Sequence, residues 1–136
     1  ASMPHVQFTG QLSADQARQK IRQSLFVVAP SIAYETFGMA VAEAMANGKA
    51  VVAAEPGALP ELVESGRTGL LFTSGNAAGC AAVCRKLVAS PETAVEMGRR
   101  ARARYEESMR PAENLKQLET IYERAIRSRD AARVDG

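Results

Sequence analysis

The stretch LFVVAPSIAYETFGMAVAEAMANGKAVVAAEPG, residues 25–57, indicates the fold because it has the pattern of a strand, a helix and a second strand. Residues 25–30 and 50–54 are continuous apolar runs, which are typical of strands covered on both faces in a parallel sheet. The alanine-rich segment between them stops before Gly48, a residue well placed to end a helix. Parallel neighbours need such a crossover helix, so we expect an α/β fold with an open, mostly parallel sheet.

The alternation of strands and helices continues on both sides of this unit. VQFT at residues 6–9 is the first strand candidate and GLLFT at residues 69–73 is the last predicted strand, which raises the expected sheet to about four strands. Ser13 is the expected N-cap of a helix between the first two strands. The remaining predicted helices cover residues 58–66, 76–89, 91 to about 107, and 111 to about 127. Helices therefore flank the sheet and form a helical C-terminal tail.

Length and composition are those of one soluble globular domain. The 136 residues are 46% hydrophobic and 24% charged, and the net charge of +2 is too small to indicate nucleic-acid binding. No apolar run approaches the roughly 18 residues needed to span a membrane. We place the domain at residues 4–128 and expect residues 129–136 to form a frayed polar tail.

Potential metal ligands are scarce in this sequence. The only cysteines are Cys80 and Cys84, and the only histidine is His5. A metal site would need more ligands than these side chains supply, so no metal is expected. The two cysteines are one helical turn apart, and we interpret them as small apolar residues on a packed helix face. Free thiols suit a reducing compartment, so the chain is expected in the cytoplasm.

The segments that follow the predicted strands are the first places to look for a ligand site. Ligands in open parallel sheets bind beyond the carboxyl ends of the strands. This rule selects residues 9–11, 31–38, 55–59 and 73–76. The second of these segments contains Glu35, and Glu43 follows eight positions later.

A helix that begins near Phe37 would place these two glutamates on either side of an anion site. The first amides of that helix, those of Phe37, Gly38 and Met39, would lack partners within it and carry the positive end of its dipole. Gly38 has no side chain, so a phosphate could approach its backbone closely. The two glutamates would lie at most about 12 Å apart along the helix axis. That separation fits a nucleotide diphosphate sugar whose hydroxyl groups are bound on both sides of the diphosphate.

The spacing of the glutamates also allows a simpler interpretation. Thr36, Glu43 and Asn47 lie within about 40° of one another around a helix, so they could form the wet stripe of a surface helix. Met39 and Ala40 share that side, which leaves the polar stripe thin. Both interpretations are open on spacing alone.

The order of motifs over residues 30–72 resembles the donor-binding domain of GT-B glycosyltransferases, specifically the large retaining family numbered four, the glycosyl transferases group 1. The hallmark of that family is a pair of glutamates separated by seven residues, which Glu35 and Glu43 match. The Pro-Ser, Phe-Gly, Glu-Ala-Met-Ala and Gly-x-x-Val-Val elements around them also match, as does Gly-x-x-Gly-x-x-Phe at residues 66–72. The resemblance covers nearly the whole chain and implies a Rossmann-like sheet.

The resemblance implies a separate role for each matched residue. The residue that matches Glu35 contacts hydroxyl groups of the transferred sugar, and the one that matches Glu43 binds the ribose hydroxyl groups of the nucleotide. Backbone amides at Phe37 and Gly38 face the sugar and the diphosphate, with Met39 beside them. Members of the family need no metal ion, so amides and basic side chains stabilise the leaving diphosphate. Transfer retains the anomeric configuration, and no residue of this chain is assigned as catalytic.

Two departures from the family pattern limit what this chain is expected to do. Gly57 and Ala58 stand where many relatives have Gly-Gly, which restricts how closely that loop can approach the donor. The upstream part of the donor domain, with its basic diphosphate clamp, and the whole acceptor domain would precede residue 6 and are absent from the sequence. The chain is therefore expected to belong to a longer enzyme and to be inactive alone.

The expected partners follow from the same resemblance. They are the nucleotide sugar, the N-terminal acceptor domain of the same enzyme and, for the full enzyme, the inner face of a membrane. The apolar face of the last helix, which includes Leu118 and Tyr122, could also join two copies of the fragment. The alternative function is a non-catalytic interaction module that uses a basic run on the preceding helix: Arg99, Arg100, Arg102 and Arg104.

Overall fold

A computed structural model describes residues 3–32, 38–55 and 59–134. The strands in these ranges are β1 (Phe26–Ala29), β2 (Ala50–Glu55) and β3 (Gly69–Thr73). The helices in these ranges are α1 (Ala14–Gln23), α2 (Met39–Ala46), α3 (Leu59–Leu62), α4 (Ala77–Ala89), α5 (Pro91–Ser108) and α6 (Pro111–Val134). The described chain therefore alternates helices with strands up to β3 and then continues as successive helices.

The strands form one parallel sheet in the order β1-β2-β3, which confirms the predicted α/β class. Val51 of β2 is the register partner of Val27 in β1, and Ala53 of β2 is the register partner of Leu71 in β3. Residues 50–54 are all buried, as expected for the central strand of a sheet that has helices on both faces.

Alternate residues of β2 point into two separate parts of the core. Val51 and Ala53 pack with side chains of α2, α3 and α5. Val52 and Ala54 pack on the other face, with Leu87 of α4 and further side chains of α5. This division follows from the period of two in a β-strand. It places α2 and α3 on one face of the sheet and α4 on the other.

Two glycines allow α5 to cross close to the turn between α2 and β2. A Cβ atom added at Gly98 would lie 2.2 Å from the carbonyl oxygen of Gly48, so a side chain at this position would collide with the backbone. The close approach brings the arginines of α5 within reach of the C-terminal ends of α2 and α3.

The prediction of a strand at residues 6–9 was wrong. The segment has no regular secondary structure, and the described sheet has three strands rather than about four. Phe8 is 92% exposed in this segment. Residues 6–9 do not pair with the free edge of β1 in the described sheet, and an unpaired segment does not form a stable strand.

The last helix is longer than predicted. α6 continues to Val134, seven residues past the predicted end near Arg127. Charged side chains occur along its whole length. Among the helices that the structure describes, neither α6 nor any other has the combination of length and apolar character that crossing a membrane requires.

Candidate functional site

The carboxyl ends of the strands meet at one edge of the sheet, where Ser74 connects them. The backbone amide of Ser74 donates to the carbonyl oxygen of Glu55 at the end of β2, at 2.7 Å. Its hydroxyl group donates to the carbonyl oxygen of Ser31, which follows β1, at 3.5 Å. Ser31, Glu55 and Ser74, which belong to the predicted segments after β1, β2 and β3, therefore lie together, whereas the segment at residues 9–11 follows no strand.

Helix α2 begins at this edge of the sheet, directly after Gly38. Gly38 is the N-cap residue, with φ 77° and ψ 52°, the left-handed conformation that glycine adopts most readily. Its carbonyl oxygen accepts hydrogen bonds from the amides of Val41, at 2.9 Å, and Ala42, at 3.1 Å. The amides of Met39 and Ala40 come earlier and, by their position, have no acceptor within the helix. The start of α2 therefore presents N–H groups and the positive end of a helix dipole.

The backbone of Gly38 lies directly against two leucines of α3. A Cβ atom added at Gly38 would be 2.5 Å from Cδ2 of Leu59 and 3.2 Å from Cδ1 of Leu62. Leu59 itself is 1% exposed and belongs to the core. Helix α3 therefore supports the turn at which α2 begins, and that turn has no space for a side chain at its N-cap.

Glu43 lies further along α2, on the exposed side of the helix. The other exposed residues of α2 are Met39, which is 62% exposed, and Ala40. Asn47 belongs, with Thr36 and Glu43, to the predicted polar stripe of this helix. Its side-chain amide donates to the carbonyl oxygen of Glu43 at 2.8 Å. The exposed face of α2 therefore carries a single charged group, next to an exposed methionine.

Part of the predicted site lies outside the described residues. Glu35 and Phe37, which the resemblance assigns to the sugar and the diphosphate, lie there, as do Gly57 and Ala58. The structure describes the other members of the predicted site: Gly38, Met39 and Glu43. It brings all of these onto α2 or its N-cap, although the helix begins two residues later than the predicted start near Phe37.

Arg104 of α5 has a role that the sequence did not predict. Its guanidinium group donates to the carbonyl oxygens of Leu62, at 3.1 Å, and Glu61, at 2.7 Å, and it pairs with the carboxylate of Glu64. The last carbonyl groups of a helix lack partners within it, and a cation is favoured there by the dipole. Arg104 is 42 residues from Leu62 in the chain, so no local sequence signal predicts this contact.

The basic run on α5 is paired with carboxylates rather than free. Its four arginines have these glutamate partners: Arg99 and Arg100 with Glu96, Arg102 with Glu106, and Arg104 with Glu64. Arg102 also donates to the carbonyl oxygen of Ala46, the last residue of α2. Nearby carboxylates reduce the attraction of these arginines for an acidic partner, so the pairing argues against the non-catalytic interaction module.

A cavity of about 370 Å³ opens across the sheet from α2, near the start of α4. Its lining is mainly apolar and consists of Pro30, Ile32, Phe72, Gly75, Asn76, Ala77, Cys80 and Ala81. Phe72 belongs to the part of the core that packs against α4, whereas α2 packs on the opposite face. The cavity is therefore a different feature from the start of α2.

Cys80 and Cys84 pack against the core on the α4 face, which confirms their interpretation as packed apolar residues. Burial raises the pKa of the Cys84 thiol above its ordinary value. The charge of Cys80 and a side-chain hydrogen bond with it raise the pKa of Cys84 further.

Sequence comparison finds one family over most of the chain. The model of the family "Glycosyl transferases group 1" matches residues 3–104. The sulfoquinovosyl transferase SQD2 of Arabidopsis thaliana is 39% identical over 103 residues, which make up 74% of this chain and 20% of that protein.

Solved structures with the same architecture include two that cover most of this chain. The sucrose-phosphate synthase of Thermosynechococcus elongatus superposes with a TM-score of 0.83 and is 28% identical, over 92% of this chain and 31% of its own. The Anabaena protein Alr3699/HepE in complex with UDP-glucose has a TM-score of 0.71 and 30% identity, over 77% of this chain and 29% of its own. The chain thus spans about a fifth to a third of the length of these three proteins.

Proposed function

Because the chain belongs to the family of glycosyl transferases group 1, we propose that it forms the donor-binding part of an enzyme that transfers a sugar from a nucleotide diphosphate sugar to an acceptor. The observation that carries this proposal is helix α2, whose first amides lie at the carboxyl edge of a parallel sheet and whose Glu43 is exposed further along the helix. A nucleotide sugar is the ligand class we expect, since the similar Anabaena structure contains UDP-glucose.

We assign the parts of the donor to different positions along α2. The diphosphate lies against the amides that follow Gly38, because N–H groups at a helix start bind phosphate. Glu43 is five residues further on, about 7.5 Å along the axis, and its carboxylate accepts hydrogen bonds from the ribose hydroxyl groups. Glu35 and Phe37 keep the sugar-binding roles that the resemblance implies.

The proposed reaction is a transfer with retention that needs no metal ion. Amides at the start of α2 stabilise part of the charge on the leaving diphosphate, and basic side chains elsewhere in the enzyme supply the rest. The described residues of this chain provide contacts to the nucleotide sugar, but none of them is assigned as a catalytic residue. We therefore propose that the isolated chain binds the donor weakly and does not turn it over.

Titration of the isotope-labelled chain with UDP-glucose, followed by NMR, tests this proposal at single amides. We expect the largest shifts at residues 38–43, because the diphosphate and the ribose contact this segment. The variant Glu43→Gln removes a charged acceptor and should weaken binding about tenfold, since such a hydrogen bond contributes roughly 1.5 kcal/mol. Glu119→Gln, on the exposed surface of α6, is the matched control and should leave the affinity unchanged.

Particular outcomes of this titration would contradict particular parts of the proposal. The absence of shifts at residues 38–43 at millimolar UDP-glucose would contradict donor binding at α2. Shifts centred on Ile32 and Phe72 would instead place the ligand in the apolar cavity. Equal affinity of wild type and Glu43→Gln would remove the ribose role of Glu43. Parallel titrations with ADP and GDP sugars show which base the site accepts.

A further inference from the structure

We infer that Arg104 is a positioning residue for the donor site and acts through α3 on the turn at which α2 begins. The inference rests on the proposed function, because it concerns the same site. The described hydrogen-bond partners of the Arg104 side chain are all at or just after α3, at residues 61, 62 and 64. Any effect of Arg104 on donor binding must therefore be transmitted through that helix.

Arg104 fixes the C-terminal end of α3 by three contacts. It donates to the carbonyl oxygens of Leu62 and Glu61 at 3.1 Å and 2.7 Å, and it forms an ion pair with Glu64. Helix α3 has only four residues, so few N–H groups within the helix can donate to its carbonyl oxygens. Such a short helix is not stable by itself. An arginine from α5 that satisfies its last carbonyl groups therefore sets where α3 lies.

Leu62 connects this contact to the proposed donor site. Its carbonyl oxygen accepts from Arg104, while its side chain faces Gly38, where an added Cβ atom would be 3.2 Å from its Cδ1 atom. Leu59 of the same helix is closer still, at 2.5 Å from that added atom. Because no gap separates α3 from the backbone of Gly38, a shift of α3 must move the turn and re-aim the first amides of α2.

Arg102 is a matched control for this effect because it makes the same kinds of contact at another helix end. It donates to the carbonyl oxygen of Ala46 at the end of α2 and forms an ion pair with Glu106. Both arginines are on α5 and both are partly exposed, with 45% of the Arg102 side chain and 32% of the Arg104 side chain accessible. Of these two arginines, only Arg104 has a described hydrogen bond to α3.

The test compares Arg104→Met with Arg102→Met by urea unfolding, hydrogen exchange and UDP-glucose titration. We expect Arg104→Met to weaken UDP-glucose binding at least about threefold, because fewer molecules hold the binding turn in place. It should also speed exchange at the amides of Val41 and Ala42, which donate to the carbonyl oxygen of Gly38. Arg102→Met should lower the free energy of unfolding about as much as Arg104→Met does. It should change neither UDP-glucose binding nor exchange at Val41 and Ala42.

The conservative variant Arg104→Lys separates charge from geometry. Lysine can still pair with Glu64, but it lacks the fork that lets arginine reach two carbonyl groups and a carboxylate together. We expect binding by Arg104→Lys to lie between that of wild type and that of Arg104→Met. If Arg104→Met does not fold, Arg104→Lys is compared with wild type and with Arg102→Met in its place.

Failure of this inference is distinguishable from failure of the proposed function. If the wild-type chain shows no response to UDP-glucose at residues 38–43, the proposed function fails and the positioning role falls with it. If the wild type binds while Arg104→Met binds equally well and exchange at Val41 and Ala42 is unchanged, the inference alone is overturned. Equal weakening by Arg104→Met and Arg102→Met would also overturn it, because binding would then follow global stability.

Discussion

Gly38 satisfies two constraints that other residue types do not satisfy together. Its φ of 77° costs an L-residue about 1–2 kcal/mol, and its Cα faces the side chain of Leu59 with no room for a methyl group. The sequence points to Gly38 because a residue without a side chain lets a phosphate approach its backbone. The structure adds a second reason, which is that the same position also packs against α3.

The variant Gly38→Ala should lower the free energy of unfolding by about 2–5 kcal/mol, because backbone strain and overpacking add at this position. Gly75→Ala is the matched control, since Gly75 has φ 76° and an added Cβ would meet nothing within 4 Å. This control should cost only about 1–2 kcal/mol, from strain alone. Urea denaturation of the two variants measures the difference.

Equal losses for the two glycine variants would contradict the packing account. They would mean that Leu59 and Leu62 move aside without cost, and α3 would then exert no control over the start of α2. If a folded Gly38→Ala variant still bound UDP-glucose, that result would also contradict the packing account.

Cys84 should make the stability of the chain depend on pH. Burial, and then Cys80, raise its pKa in the folded state, so the folded chain holds this proton at pH values where the unfolded chain loses it. The stabilisation is present below the ordinary thiol pKa of about 8.5 and is lost as the pH rises through the folded pKa. The measurement is the free energy of unfolding of wild type and Cys84→Ala from neutral to alkaline pH.

We expect the wild type to lose more stability over this range than Cys84→Ala, and Cys80→Ala to fall between them because burial of Cys84 persists without its neighbour. Parallel curves for wild type and Cys84→Ala would contradict this assignment, because the pH dependence would then have a source other than Cys84.

At the scale of elements, apolar runs predicted strands correctly only where a partner strand exists. β1, β2 and β3 are at the predicted positions and pair with one another in parallel. VQFT at residues 6–9 was also predicted as a strand but has no described neighbour. Strand formation depends on pairing and covering as much as on composition, so the sequence of a single segment cannot decide it.

Helix ends were predicted well where the chain carries a stop or start signal. Ser13 is the N-cap of α1 and forms a capping box with Gln16, as its residue type indicates. Gly48 follows α2 and has a positive φ of 69°. After Arg127, by contrast, the chain has no glycine or proline before Gly136, so nothing in the sequence stops α6 near the predicted end.

The contacts between elements are the part of the site that sequence could not supply. The motif over residues 30–72 predicted which residues line the start of α2, but it carries no information about what holds that start in place. Arg104 acts across 42 residues, and Ser74 reaches Ser31 across 43 residues. Such pairs become visible only when the fold brings distant segments together.

At the scale of the whole molecule, α6 is the longest described helix and, like α1, lies outside the two core clusters. The two core clusters contain no side chain from it. Among the residues of α6 whose side chains the structure describes, the large apolar ones are between 45% and 61% exposed: Leu115, Leu118, Ile121, Tyr122 and Ile126. An exposed apolar face of this length favours association with another surface, such as a second copy of the chain.

Truncation after Arg110, which removes α6, should therefore lower the free energy of unfolding by less than about 1 kcal/mol, because exposed side chains contribute little to stability. The same truncation should abolish any concentration-dependent self-association seen by sedimentation. Truncation after Ser90 is the control, since it also removes Met97 and Ala101, which belong to the two core clusters, and it should leave the chain unfolded. If the first truncation lowers the free energy of unfolding by several kcal/mol, α6 packs on the core. If self-association is unchanged by that truncation, the contact between copies lies on another surface, such as the apolar cavity beside α4.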